Sequence, residues 1–382
     1  MLLRNFIGKR LAAYYAQSEN SVVGTAFEPI QFNRLWGEYH WKRVLNRLYS
    51  QDNNGHWFTP VELFRPYYSN VLANCIAQHC HGQVGGTVDI VEFGAGRGTN
   101  AITVLDHLKA TEPELYERVQ YTILDASPTL HKLQRERLSA TPHSKKVSYI
   151  QKDLISVTKG RLLPPSDNLT FVMALEVLDN LPHDKILRTA KGLQQGTVIR
   201  NAADTEWKEK FQPLKDPVLK EILHLAPGYA SSKASWIPSI ALATLHQLPQ
   251  SRPNAQLLLT DFDWFPPDPP NLHPEAPPRR SQLATDEPLI KAMDNYDFAC
   301  YLSAPLLSDI LFPTNFNLIK DFLKRSWKNL DRDITVRKQS EFLLEYGPEE
   351  ANQTKSWLTG YSPMIHDYSN CSVLTATIPR WS

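Results

Sequence analysis

Between positions 88 and 99 the chain reads Val-Asp-Ile-Val-Glu-Phe-Gly-Ala-Gly-Arg-Gly-Thr, and no other stretch limits its fold so tightly. Val88, Ile90 and Val91 read as a buried parallel strand that an acid, Glu92, closes. Gly94, Gly96 and Gly98 then form a turn in which backbone can approach a ligand closely, because no Cβ intervenes. Residues 100–108 continue as an amphipathic helix. Strand, glycine turn and helix in that order make a nucleotide-type pocket.

The spacing decides which nucleotide. Dinucleotide folds use G-x-G-x-x-G with a helix N-terminus aimed at a pyrophosphate. Here the glycines run G-x-G-x-G behind a carboxylate, which disfavours a nicotinamide oxidoreductase. S-adenosylmethionine carries no phosphate but has a cationic amino group and a sulfonium. A site for it can place an acid where a pyrophosphate would be repelled.

Downstream acids extend the pattern. Residues 119–124 read as a second strand ending at Asp125, placed to bond both ribose hydroxyls. Asp125 lies farther from Gly98 than the spacing of about 20 usual for this motif, and a longer helix and loop over 111–117 fills the excess. Ser127-Pro128 starts a helix. Residues 147–150 read as a third strand, followed by Asp153, which either meets the adenine amino group or is a solvated loop aspartate. A fourth strand, 169–175, runs into Glu176 and Asp179. Carboxyl ends of parallel strands are where open α/β sheets bind ligands, so both acids point at the same crevice. The alternative for Asp179 is a helix cap ahead of Pro182.

With these residues the chain resembles the MidA family, the mitochondrial complex I assembly arginine methyltransferases. That family's Gly-Asp-Phe-(x)-Thr-Ser-Pro-Glu segment has Gly55-His-Trp-Phe-Thr-Pro-Val-Glu62 in its place. Its Glu-x-Gly-x-Gly-x-Gly-Thr turn is matched by Glu92 to Thr99, and its Glu-Phe-Phe-Asp-Ala-Leu-Pro by Glu176 to Pro182. Its Asp-Leu-Thr-x-x-Val-Asp-Phe resembles Asp309-Ile-Leu-Phe-Pro-Thr-Asn-Phe316, and order is kept over residues 33–379. The chain departs from the pattern at Asp125, usually Glu, at Pro60, where the proline has moved, and at Asn315, an Asp in the family. The strand expected to end Asp-Tyr-Gly reads Thr260-Asp-Phe-Asp-Trp264. The resemblance implies donor contacts from Glu92, Gly94, Gly96, Gly98, Thr99, Asp125 and Asp153, and catalytic roles for Glu176 and Asp179.

Composition narrows the partners. In 382 residues, 41 basic and 40 acidic side chains give a net charge of +1, which argues for neither nucleic acid nor anionic membrane. No run of about 18 apolar residues predicts a transmembrane helix. Four cysteines make no disulfide framework. Cys75, His79, Cys80 and His81 lack a second ligand pair, so no metal is expected and Cys75 reads as a small core residue in a helix over 70–78.

The remaining segments divide as follows. Residues 1–32 are an N-terminal extension whose Leu2, Leu3, Phe6, Ile7 and Arg10 suit either a targeting segment or an ordinary amphipathic helix. Residues 33–84 form a helical segment, and 85–184 the donor-binding core. Residues 185–250 form an inserted lobe: a hairpin over 196–200 and 205–211, then helices over 216–225 and 237–248, covering the crevice on the acceptor side. Residues 251–382 complete the sheet around a proline-rich loop at 265–278, where so many prolines forbid helix and central strand.

The expected fold is α/β, a class I methyltransferase Rossmann-like seven-stranded, mostly parallel sheet. The expected function is S-adenosylmethionine-dependent methylation of a protein, at an arginine of a respiratory complex I subunit, in the mitochondrion or else the cytoplasm. The alternative is a non-catalytic methyltransferase-fold assembly factor or subunit of a larger mitochondrial complex.

Overall fold

A computed structural model describes residues 1–16, 28–51, 58–82, 85–200, 206–265, 286–292, 296–298, 300–327 and 334–378. At its centre is a seven-stranded sheet: β1 (Val88–Phe93), β2 (Val119–Asp125), β3 (Val147–Gln151), β4 (Leu169–Leu175), β5 (Ala255–Phe262), β6 (Ile334–Lys338) and β7 (Cys371–Thr377). Their spatial order is β6-β7-β5-β4-β1-β2-β3. β1 pairs parallel with β2 and β4, β2 with β3, and β4 with β5. β7 alone runs antiparallel to its neighbours, β5 and β6. Chain order reverses between β1 and β4, so the carboxyl ends of these strands flank a crevice. This is the class I arrangement expected from the sequence.

Alternation along the strands explains why they read as continuous apolar runs. Val88 and Ile90 of β1 pack on one face, Val91 and Phe93 on the other. Both faces of a parallel sheet are covered by helices, so both must be apolar. The first face takes the helices Tyr67–Cys80, Thr99–Thr111 and Gln339–Tyr346, through Leu72, Ile76, Leu105 and Phe342. Cys75 and Cys80 are buried in that layer. The second takes Pro217–Leu225, Ser239–Gln247 and Phe316–Ser326, through Ile222, Ile240 and Phe322. The two helices expected to cover the crevice therefore cover the sheet instead. Their apolar stripes continue the core of β4 and β5.

The lobe over the crevice is built from β-structure. Strands Trp207–Pro213, Gly192–Arg200, Asp184–Thr189 and Ser235–Ile237 form an antiparallel sheet that contains the expected hairpin. A three-stranded sheet of Asp297–Phe298, Leu289–Ala292 and Ser308–Leu311 lies beside it. Helix Leu3–Tyr15 joins the two: Leu3, Phe6, Ile7 and Leu11 share a core with Val198, Trp236, Ile290 and Phe312. Arg4 Nη1 donates to Asp184 at 2.7 Å and Nη2 to Asp216 at 2.5 Å, all three nearly buried. The apolar face that resembles a targeting segment is thus packed into this lobe. Asp216 also caps the helix Pro217–Leu225, accepting from Leu219 N. Among the described residues no helix is long and apolar enough to cross a membrane. The proline-rich segment 266–278 and residues 55–57 lie outside the described residues.

Candidate active site

A cavity of about 1000 Å³ opens where β1, β2 and β4 end. It is lined by the glycine turn, by the segment after β4, and by residues of the lobe and of helix Leu3–Tyr15. At the upper end of ligand-pocket sizes, it has room for a nucleoside and a second side chain together.

The glycine turn is held at both edges. Gly94 N donates to Leu124 O of β2 at 2.9 Å. Gly94 and Gly96 have φ of 61° and 51°, a region in which an L side chain costs about 1–2 kcal/mol. A Cβ on Gly94 would also stand 2.9 Å from Val177 Cγ2, so the turns after β1 and β4 interlock through a missing side chain. Gly98 and Thr99 lie behind the turn rather than on the cavity. Gly98 precedes the helix as its cap, and the buried Thr99 hydroxyl accepts from Arg137 Nη1 at 2.8 Å. The two were expected to touch the donor. The positive φ at Gly98 instead turns the chain into the helix, whose first residue then faces the neighbouring helix.

Asp125 ends β2 as expected, buried at the cavity edge. One oxygen accepts from Ser127 N at 2.9 Å and the other from Gln134 Nε2 at 3.0 Å. A carboxylate has about four lone-pair directions, so each oxygen keeps capacity for a ligand hydroxyl. The same Gln134 amide donates to Gly96 O at 2.8 Å, which ties the glycine turn to Asp125. Gln134 escaped sequence reading because it occupies a buried helix position where an apolar residue is the norm. Asp153 lines the cavity and caps the turn after β3, accepting from Ile155 N at 2.9 Å.

Glu92 is buried under the turn, where Oε1 accepts from Asn100 Nδ2 at 2.9 Å and Oε2 from Tyr121 OH at 2.7 Å. Burial nonetheless pushes its pKa up to about 7, against hydrogen bonds that pull it down. The native carboxyl thus holds a proton across a pH range in which the unfolded chain has released it. Its contribution is fully present below the ordinary 4.5 and is lost as pH rises through 7. Thermal denaturation should therefore show the protein losing stability between pH 4.5 and 7, by about 3 kcal/mol from this group. Glu92→Gln is expected to flatten that slope, and an unchanged slope would assign it to other carboxyls.

The segment after β4 is acidic. Glu176 follows β4 with φ 54°, the one described non-glycine residue with positive φ. Its N–H donates to Thr260 O of β5 at 2.8 Å, which holds this strained conformation, and Oε1 is buried without a hydrogen-bond partner. Such strain, about 1–3 kcal/mol, persists where surrounding structure fixes it. Asp179 is buried too: its N–H donates to Asp261 Oδ2 at 3.0 Å and its Oδ1 accepts from Asn180 Nδ2 at 3.1 Å. Burial raises the pKa of Glu176 well above the carboxylate range, with Asp179 adding to it. Asp179 is raised likewise by burial, then by Asp261 and Asp309. The helix-cap alternative for Asp179 does not apply, since the strand Asp184–Thr189 comes next.

The lobe contributes a second charged row. Lys291 stands in register with Asp297 on one neighbouring strand and Asp309 on the other, and all three line the cavity. Asp309 opens a segment that the resemblance had already marked; Lys291 and Asp297 had no signal in the sequence. Asn315, which departs from the family's Asp, is an exposed helix cap accepting from Leu318 N at 3.1 Å. Either residue caps a helix, so the change leaves the cavity untouched. Of the segment ending at Glu62, Phe58 to Glu62 line the cavity.

These residues fit a donor-type ligand. Beside the glycine turn, Asn100 is a lining residue whose Oδ1 is buried and has no partner. A buried acceptor without a donor is costly, so the ligand that belongs here brings N–H or O–H groups. An amino group, ribose hydroxyls and adenine amine do so.

The comparisons agree. The profile of a family described as "Putative S-adenosyl-L-methionine-dependent methyltransferase" matches residues 71–332, more than half the chain. No curated protein matches. A crystal structure of a Burkholderia thailandensis protein bound to S-adenosyl-homocysteine is similar with TM-score 0.62 and 17% identity, over 100% of this chain and 89% of that one. A native crystal structure from Burkholderia thailandensis gives the same score and identity over 100% and 88%. At that identity the likeness shows the fold.

Proposed function

This chain belongs to the family of S-adenosyl-L-methionine-dependent methyltransferases whose profile it matches, and on that premise we propose that it methylates a protein at an arginine. The observation that carries this reading is the acidic wall of Glu176, Asp179 and Asp309 beside the donor side of one cavity. A guanidinium stays protonated and presents N–H groups in a fork, so an acceptor of this kind needs buried carboxylates to receive it.

S-adenosylmethionine supplies an electrophilic methyl group on a sulfonium. Glu92, Gly94, Gly96, Asp125 and Asp153 are the residues that would hold it. Glu176 accepts a guanidinium N–H at its unpartnered Oε1 and orients one nitrogen; holding reactants in line can supply much of the rate. Its raised pKa suits it to receive at a carboxylate oxygen the proton that this nitrogen loses as the new N–C bond forms. Asp261 fixes Asp179 through the backbone, and Asp179 supports the charge of Glu176's partner. The resemblance to the MidA family supports a complex I subunit as substrate and a mitochondrial setting.

Isothermal titration tests the donor half. The wild type is expected to bind S-adenosylhomocysteine and not NAD. Asp125→Ala should weaken binding by about 1–3 kcal/mol, the worth of charge-assisted bonds to ribose. Binding of NAD without S-adenosylhomocysteine would overturn the assignment.

A further inference from the structure

The helix Leu3–Tyr15 lies across the ends of three core strands. At its carboxyl end, Tyr15 O accepts from Ser127 Oγ at 2.7 Å, two residues past Asp125 of β2. Midway, a Cβ built on Gly8 would stand 3.2 Å from both Ile155 Cδ1, after β3, and Pro182 Cγ, after β4. Gly8, Leu11, Ala12, Tyr15 and Ala16 line the cavity, the spacing of one helix face. At Gly8 the missing side chain lets Ile155 and Pro182 close against the helix, while residues 12 and 16 of the same face are small and line the cavity. Below, the buried and unpartnered Asn100 Oδ1 belongs to the same cavity.

The other face is fixed. Leu3, Phe6 and Ile7 sit in the lobe's core, Arg4 is held by Asp184 and Asp216, and Arg10 Nη1 donates to Ala304 O and Pro305 O. The helix is therefore a rigid beam between the lobe and the donor end of the sheet. Burial, followed by Asp309, Tyr14, Asp179 and Asp125, raises the Tyr15 hydroxyl's pKa well above its usual value. It remains a neutral donor, within electrostatic reach of the acids on both sides of the cavity.

We propose that this helix is the roof of the donor site, and that Ala12 and Tyr15 contact the nucleoside of S-adenosylmethionine. The proposal rests on the donor reading above. Its physical content is that the roof replaces water over the bound nucleoside, and that its small residues set the height of the chamber.

The test uses the full chain with S-adenosylhomocysteine as the probe. Ala12 is exposed along the cavity, so Ala12→Trp fills space without opening a core; Lys9, exposed and away from the cavity lining, provides the control Lys9→Trp. Titration should show Ala12→Trp about tenfold weaker or worse, and Lys9→Trp within about twofold of wild type, at equal melting temperatures. Hydrogen exchange of the unmutated protein should slow over residues 8–15 when S-adenosylhomocysteine is added. If the wild type binds S-adenosylhomocysteine but the helix gains no protection, or Ala12→Trp binds as Lys9→Trp does, the roof is overturned and the donor reading stands. Failure of the wild type to bind S-adenosylhomocysteine overturns both.

Discussion

Replacing Glu176 by Gln is expected to lower methyl transfer by about 10²-fold or more, the loss of roughly 3 kcal/mol of transition-state stabilisation. Affinity for S-adenosylhomocysteine should stay within about twofold, because Glu176 stands on the acceptor side. Charge decides the effect. Burial, followed by Asp179, raises the Glu176 pKa and so favours its neutral form when no cation faces it. Gln copies that neutral form in shape and hydrogen-bonding capacity, so the fold has no reason to suffer. The difference appears only when a guanidinium arrives. Glu can then release its proton and pair with the cation; Gln cannot. The consequence runs the other way with pH: transfer should fall as pH drops, as protonation of these raised carboxyls competes with the acceptor.

The measurement is transfer of labelled methyl to protein in an extract of a strain lacking the gene, beside complementation of that strain. A Gln variant that transfers at the wild-type rate would remove Glu176 from the chemistry. Full rescue by variants without donor binding or without this charge would favour the other reading, a non-catalytic assembly factor that keeps only the fold.

The glycine turn and the acids at the strand ends were legible in the sequence, and for a physical reason. A glycine turn needs φ values that few residues adopt, so Gly94 and Gly96 announce themselves locally. Strand ends carry their own signal, because an apolar run buried on both sheet faces stops where an acid such as Asp125 or Glu176 begins. The acceptor half is assembled from distant parts of the chain. Lys291, Asp297 and Asp309 meet only because three short strands pair in one register. Neither composition nor periodicity encodes that meeting. Tyr15 was hidden for the same reason: its helix reads as an amphipathic segment whichever surface it covers. The helices at 217–225 and 239–247 were misassigned to the crevice because amphipathicity shows that a face is buried, not against what.

Gly96→Val is expected to abolish measurable binding of S-adenosylhomocysteine, a loss of about 10²-fold or more by titration. Two effects act together. Gly96 has φ 51°, a conformation that a β-branched residue adopts only under strain, at about 1–2 kcal/mol or more. Its position on the cavity lining also places the new methyl groups where backbone must meet the ligand. Relief by moving the turn is opposed by Gln134, whose amide holds Gly96 O and Asp125 at once. A shift at residue 96 would thus disturb Asp125 as well. Gly96→Ala separates the two effects, since it adds the backbone strain with only one carbon. It should retain weak binding and a melting temperature close to that of the Val variant. If Gly96→Val binds within about threefold of wild type while remaining folded, the glycine turn is not the donor cradle. Together with Glu176→Gln the two variants divide the cavity: one loses the donor and keeps the acid wall, the other keeps the donor and loses the charge. That division is what a methyltransferase requires and a scaffold does not.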